Sequence, residues 1–143
     1  MVITKVEKAL ERSRQLGGTS VDPVRLLELG SGISDVTAMV WQLVCDGLRS
    51  AGQGDPMSLF TITNCEYEEH TGATASRLLA ETGKTNVDVI YGPEMGDATR
   101  LVGLSDSTFD VVWSSLFLGA FPLVSHDHRY RSMMLITFMS LVF

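Results

Sequence analysis

The string Glu28-Leu29-Gly30-Ser31-Gly32-Ile33-Ser34 constrains this chain more than any other feature. It stands where one periodicity gives way to another. Before it, Val24 to Leu29 is a short, mostly apolar run of the kind shown by a strand buried on both faces. After it, Val36, Met39, Val40, Leu43, Val44 and Leu48 recur at helical spacing, so a helix is expected from Ser34 or Asp35 to about Leu48, with Ser34 or Asp35 as its N-cap. A bare G-x-G also serves as an ordinary strand-to-helix turn. At the carboxyl end of a first parallel strand, however, such glycines let the backbone come close to a ligand in the crevice of a doubly wound sheet.

The rest of the chain repeats the alternation. A polar linker from Ser50 to Pro56 leads into a β-rich run, Leu59 to Thr63. Glu68 to Thr82 reads as a second helix whose acidic start suits the positive end of the helix dipole, closed by Gly83. Val87 to Tyr91 reads as a third strand, Ala98 to Leu104 as a short helix and Phe109 to Trp113 as a fourth strand. The order β-α-β-α-β-α-β implies right-handed parallel crossovers: an α/β, doubly wound, mainly parallel sheet with helices on both faces. We expect one domain over residues 1–143, with an N-terminal helix and turn at 1–22, a core at 23–118 and a C-terminal segment at 119–143. Met1 to Leu16 reads as a surface helix with a narrow stripe centred on Val6 and Leu10. In the C-terminal segment, Leu135 to Phe143 suits either a fifth strand or a helix, and Met133, Met134, Leu135 and Met139 favour the helix.

Charge and cysteine usage narrow the function classes. With 11 basic and 17 acidic side chains the net charge is -6, which gives no general field to hold phosphate backbones, so nucleic-acid partners are disfavoured. No apolar leader opens the chain, and Met133 to Phe143 is about half the ~20 residues of a membrane span, so no membrane association is expected. Cys45 and Cys65 have apolar neighbours and no C-x-x-C spacing, and read as buried thiols in a reducing, cytoplasmic setting. The apolar stretch from Met133 onward would need cover, from the chain itself or from a homo- or hetero-oligomeric partner.

The turn itself discriminates between ligands. A dinucleotide fingerprint G-x-G-x-x-G would put its third glycine at position 35, where Asp35 would face the pyrophosphate. A Walker-type loop is excluded, because no G-K-[ST] follows the glycines. A cationic nucleoside without phosphates, S-adenosylmethionine, fits better, since an acidic residue near the turn then assists binding.

The segment V-R-L-L-E-L-G-S-G-I-S resembles the first motif of class I S-adenosylmethionine-dependent methyltransferases, an acidic residue followed by x-G-x-G-x-G, with Ser34 in place of the third glycine. T-I-T-N-C-E-Y continues the resemblance, and Glu66 matches the family's acidic residue that accepts hydrogen bonds from the ribose hydroxyls. Gly96-Asp97-Ala98 is similar to the segment whose aspartate and following amide contact the adenine. F-D-V-V-W-S-S looks like the fourth motif, with Ser114 and Ser115 where many members carry an acidic or other polar residue. The resemblance runs from about Val24 to Leu118, and implies a Rossmann-like fold with a cofactor site made by Glu28, Gly30, Ser31, Gly32, Ser34, Glu66, Asp97, Ala98 and Ser114. It also implies a sheet that stops after the fourth or fifth strand, whereas the family's has seven.

The function so implied is methyl transfer to an O or N acceptor, a small molecule or protein that the sequence does not identify. The alternatives are a weakly active cofactor-binding fragment or partner subunit and, behind it, an NAD-dependent oxidoreductase. His126 and His128 are candidates for a base. With Asp127 between them they do not make a metal site, because residues two apart diverge on a helix and no third ligand of matching pattern is visible.

Overall fold

A computed structural model describes residues 22–98 without a break, then 100, 102, 104 and 108–114, the backbone of 135–137 and isolated positions at 4, 7, 8, 11 and 15. Strand β1 (Val24–Leu29) leads through the glycine turn into helix α1 (Asp35–Ser50). A single 3-10 turn (Pro56–Ser58), started by Asp55 accepting from the Met57 amide, opens β2 (Phe60–Glu66). Helix α2 (Glu69–Glu81), β3 (Val87–Tyr91), β4 (Val111–Ser114) and β5 (Leu135–Thr137) follow.

The strands form one sheet in the order β3-β2-β1-β4-β5, and every neighbouring pair is parallel. This is the expected α/β, Rossmann-like arrangement. The chain steps outward from β1 to β2 and β3, then returns to the other side of β1 for β4, so the switch point lies between β1 and β4. Right-handed crossovers in the first direction put α1 and α2 on one face, and the return puts the β3–β4 connection on the other.

Packing follows that geometry. On the first face Trp41, Val44, Cys45 and Leu48 of α1 and Leu79 of α2 meet Val24, Leu26, Phe60, Ile62 and Trp113. Phe60, Leu26 and Ile62 are completely buried, and each such side chain contributes roughly 1.5–3 kcal/mol. On the second face Leu27, Leu29, Cys65 and Val112 are covered by Ala98, with Leu104 and Phe109 packed alongside. Asn86 ties the layers together, accepting from Trp41 Nε1 at 2.7 Å and donating to the Phe60 carbonyl at 2.9 Å. Helix α2 comes unusually close to β3 at Gly72, where a Cβ would lie 2.2 Å from that of Tyr91.

Several boundaries differ from the sequence expectation. Strand β2 runs three residues past Thr63, because Asn64, Cys65 and Glu66 continue the ladder against Glu28, Leu29 and Tyr91. Strand β4 begins at Val111, not Phe109; Asp110 is held by Arg25 instead, its amide donating to the Arg25 carbonyl at 2.8 Å and its Oδ2 accepting from the Arg25 amide at 2.9 Å. In place of the short helix expected over Ala98 to Leu104, the described positions Ala98, Arg100 and Val102 lie in turns. The helix favoured for the tail is overturned at Leu135–Thr137, which pairs with Val112 to Ser114 as a strand, the ladder overriding local helix propensity. Thr4, Glu7, Lys8, Glu11 and Gln15 are helical, and the remainder of the expected N-terminal helix lies outside the described residues. Among the described residues no helix is long and apolar enough to cross a membrane.

Candidate functional site

The carboxyl ends of four strands come level. Leu29 pairs with Cys65 and with Ser114, and Cys65 and Glu66 pair with Ile90 and Tyr91. The glycine turn after Leu29, the end of β2, the Gly92 to Gly96 loop after β3 and Ser114 at the end of β4 therefore lie along one rim, at the switch point where α/β sheets bind ligands.

Within the turn, Gly30, Gly32 and Ser34 have left-handed backbones, with φ of 66°, 55° and 68°. Two of these are cheap because glycine has no Cβ. The position that resembles a third glycine thus has glycine's backbone while carrying a side chain. Ser34 also occupies the N-cap position of α1, as expected, yet its side chain makes no cap hydrogen bond. Its hydroxyl accepts from Asn64 Nδ2 instead, at 2.6 Å.

Strand β2 holds the turn from below. The amides of Gly30 and Ser31 donate to the Cys65 carbonyl at 2.8 and 3.3 Å, and the Gly32 amide donates to Glu66 Oε2 at 2.7 Å. Glu66 Oε1 accepts from the Glu68 amide at 3.0 Å, so each carboxylate oxygen is anchored by one backbone donor and has lone-pair capacity left. Among the described residues nothing lies within 4 Å of where a Cβ on Gly32 would stand, so they leave the turn open on that side.

The other expected residues fall around this centre. Glu28, two residues before the turn, is fully buried, and Thr37 Oγ1 donates to it. Ser31 is nearly buried, and its hydroxyl has no partner among the described residues. Ser114 is buried at the end of β4. Asp97 is half-buried and Ala98 buried, directly after Gly96. His126 and His128 lie outside the described residues. Among the described residues no group of three metal-ligating side chains comes together.

The loop carrying Asp97 is bolted to β2. The Gly92 amide donates to the Glu66 carbonyl at 3.0 Å, the Gly96 amide donates to the Gly92 carbonyl at 2.7 Å, and Cys65 Sγ points at the Gly96 carbonyl at 3.4 Å. Burial first, then the negative charges of Asp97 and Glu66, push the Cys65 thiol up to about 12. Its thiolate fraction at pH 8 is then on the order of 10⁻⁴, and burial also raises the Cys45 thiol. Neither cysteine should react with a soluble disulfide reagent in the folded chain, and both should react on unfolding. Rapid labelling of Cys65 under native conditions would show that the end of β2 opens.

Other parts of the site are not legible along the chain. Asn64 and Thr37 are completely buried polar side chains, and since β2 and α1 carry other polar residues, no local pattern singles them out. Ile33, Tyr67 and Met95 stand half-exposed in the segments just beyond the ends of β1, β2 and β3. Carboxylates accompany them: Asp35 opens α1, Glu68 caps α2 by accepting from the Thr71 amide at 2.6 Å, and Glu69 follows it. Hydrogen bonding from the Thr71 side chain, and then from its backbone amide, holds the Glu68 carboxyl below its usual range. The rim therefore offers backbone donors, acidic acceptors and apolar side chains. Neither any family model nor any curated protein matches the chain.

Proposed function

We propose that the glycine turn binds the nucleoside of S-adenosylmethionine and that the chain is a methyltransferase acting on an O or N acceptor. The observation that carries this reading is the Glu66 carboxylate, fixed by the Gly32 amide at 2.7 Å beside a turn that the described residues leave open at Gly32. A carboxylate so placed at the end of the second strand accepts hydrogen bonds from a ribose diol. Three further features fit the cofactor. The buried Ser31 hydroxyl lacks a partner among the described residues, Tyr67 and Met95 offer apolar surface to a base, and the acidic residues at the helix starts suit a cation. The same carboxylates oppose a pyrophosphate, which weighs against a dinucleotide.

When bound, S-adenosylmethionine supplies an electrophilic methyl group on a positively charged sulfur. The chain's part is to bind and orient. Gly30 to Gly32 admit the ligand to the backbone, Glu66 holds the ribose, Asp97 and the Ala98 amide hold the adenine, and Ser114 lies toward the transferring end. Glu28 and Ser34 support the turn from its buried side.

The test is calorimetric titration with S-adenosylhomocysteine and, separately, NAD, on a chain shown by circular dichroism to fold. We expect S-adenosylhomocysteine alone to bind, and at 100 times its dissociation constant to stabilise the fold by about 2.7 kcal/mol. Glu66→Ala should keep the fold and weaken binding. A folded chain that binds neither ligand would reduce the glycine turn to architecture, and the reading would fall. Binding without turnover on an acceptor screen would support the partner-subunit alternative.

A further inference from the structure

Ser34 is the only residue other than glycine with a left-handed backbone among the described residues. A Cβ in that conformation crowds the following carbonyl, so something must hold it there. The structure supplies a buried relay. Asn64 Nδ2 donates to Ser34 Oγ at 2.6 Å and to Thr37 Oγ1 at 2.7 Å, while the Thr37 hydroxyl donates to Glu28. All four side chains are at most 1% exposed.

With Glu28 ionised the relay runs in one direction. The single hydroxyl hydrogen of Thr37 goes to Glu28, so its oxygen must accept, which turns the nitrogen of Asn64 toward the two hydroxyls. The Asn64 oxygen is left without a partner among the described residues. An unpaired buried carbonyl is costly, so this side chain earns its place through its donors.

We propose that Asn64 is a positioning residue: its amide holds Ser34 in the left-handed conformation that a glycine would adopt unaided, and so shapes the turn over Glu66. Three consecutive residues of β2 then grip three points of the turn, Asn64 at Ser34, Cys65 at Gly30 and Ser31, and Glu66 at Gly32. What the shaped turn binds rests on the reading given above; the role of Asn64 in shaping it does not.

A double-mutant cycle separates the two. Affinity for S-adenosylhomocysteine and the melting temperature of the ligand-free chain are measured for Asn64→Leu in the native background and in a Ser34→Gly background. Asn64→Leu should weaken binding about tenfold, which is about 1.4 kcal/mol, in the native background, and by less than about threefold beside glycine. The fall in melting temperature should shrink in the same way, because glycine needs no clamp. Equal losses in the two backgrounds would make Asn64 ordinary packing and overturn the proposal. Should Asn64→Leu fail to fold, the comparison runs from the other side. Ser34→Ala retains the backbone strain without the hydroxyl, and should bind more weakly and melt lower than Ser34→Gly; equality overturns the proposal. If the native chain binds no S-adenosylhomocysteine, the functional reading falls and the melting comparison alone decides the role of Asn64.

Discussion

With the glycine turn binding S-adenosylhomocysteine as proposed, Gly32→Val should lower that affinity at least about a hundredfold, two tenfold steps of 1.4 kcal/mol each. The substitution has two separable effects. Gly32 has φ of 55°, so any side chain there incurs the left-handed penalty of roughly 1–2 kcal/mol. A Cβ at Gly32 meets nothing within 4 Å among the described residues, so the added side chain starts into the space where the ligand is proposed to lie. The first effect appears in the melting temperature of the free chain, and the second appears only in binding. Gly52 provides the control, with φ of 66° and likewise nothing within 4 Å of a Cβ among the described residues. It follows the far end of a 16-residue helix, about 24 Å from the turn at 1.5 Å per residue. Gly52→Val should cost comparable stability and leave affinity unchanged. Retained affinity in Gly32→Val would mean that no ligand approaches the turn at this point, and would remove the site assignment.

The parts of the fold legible in the sequence are those where local pattern and tertiary environment agree. Val24 to Leu29 and Val87 to Tyr91 were bounded correctly because apolar runs ended at a glycine or a proline-bearing turn. The helical spacing from Val36 to Leu48 likewise gave α1, which continues two residues further to Ser50. The end of β2 was hidden because Asn64 is a poor strand former by composition. It belongs to the strand through its backbone ladder to Glu28 and Val89, distant neighbours that no window along the chain contains. Leu135 to Thr137 is hidden for the same reason, being a strand through its ladder to Val112–Ser114. At the site, the glycine spacing and the acidic residue two positions after Asn64 were visible, and Glu66 does meet the turn. The left-handed backbone of Ser34 was not visible, since a serine before a helix signals an N-cap hydroxyl and this hydroxyl is turned to Asn64.

Gly96→Ala should destabilise the chain and disable the proposed site together. A Cβ at Gly96 would stand 1.9 Å from the Glu66 carbonyl oxygen, 2.6 Å from its carbon and 2.8 Å from the Tyr91 Cα. All three are backbone atoms, so no side chain can rotate away and one segment must move. If the loop lifts, the bonds from Gly92 to Glu66 and from Cys65 to Gly96 are lost, and Asp97 leaves its place. If β2 yields, the Glu66 carboxylate shifts off the Gly32 amide. Overpacking typically costs about 1–3 kcal/mol, and a clash confined to backbone belongs at the upper end. Urea unfolding should show a lowered midpoint with an unchanged slope, which marks lost native stability and not a changed unfolded state. Gly54→Ala calibrates the measurement: nothing lies within 4 Å of its Cβ and its φ is not positive, so the substitution should be neutral or stabilise by up to about 1 kcal/mol through the unfolded chain. S-adenosylhomocysteine affinity should fall in Gly96→Ala by either route, because both Asp97 and Glu66 depend on the same contact. A variant as stable as the native chain would show that the loop is not seated on β2. A stability loss with full affinity would separate the loop from the ligand and leave Glu66 and the glycine turn to carry the binding alone.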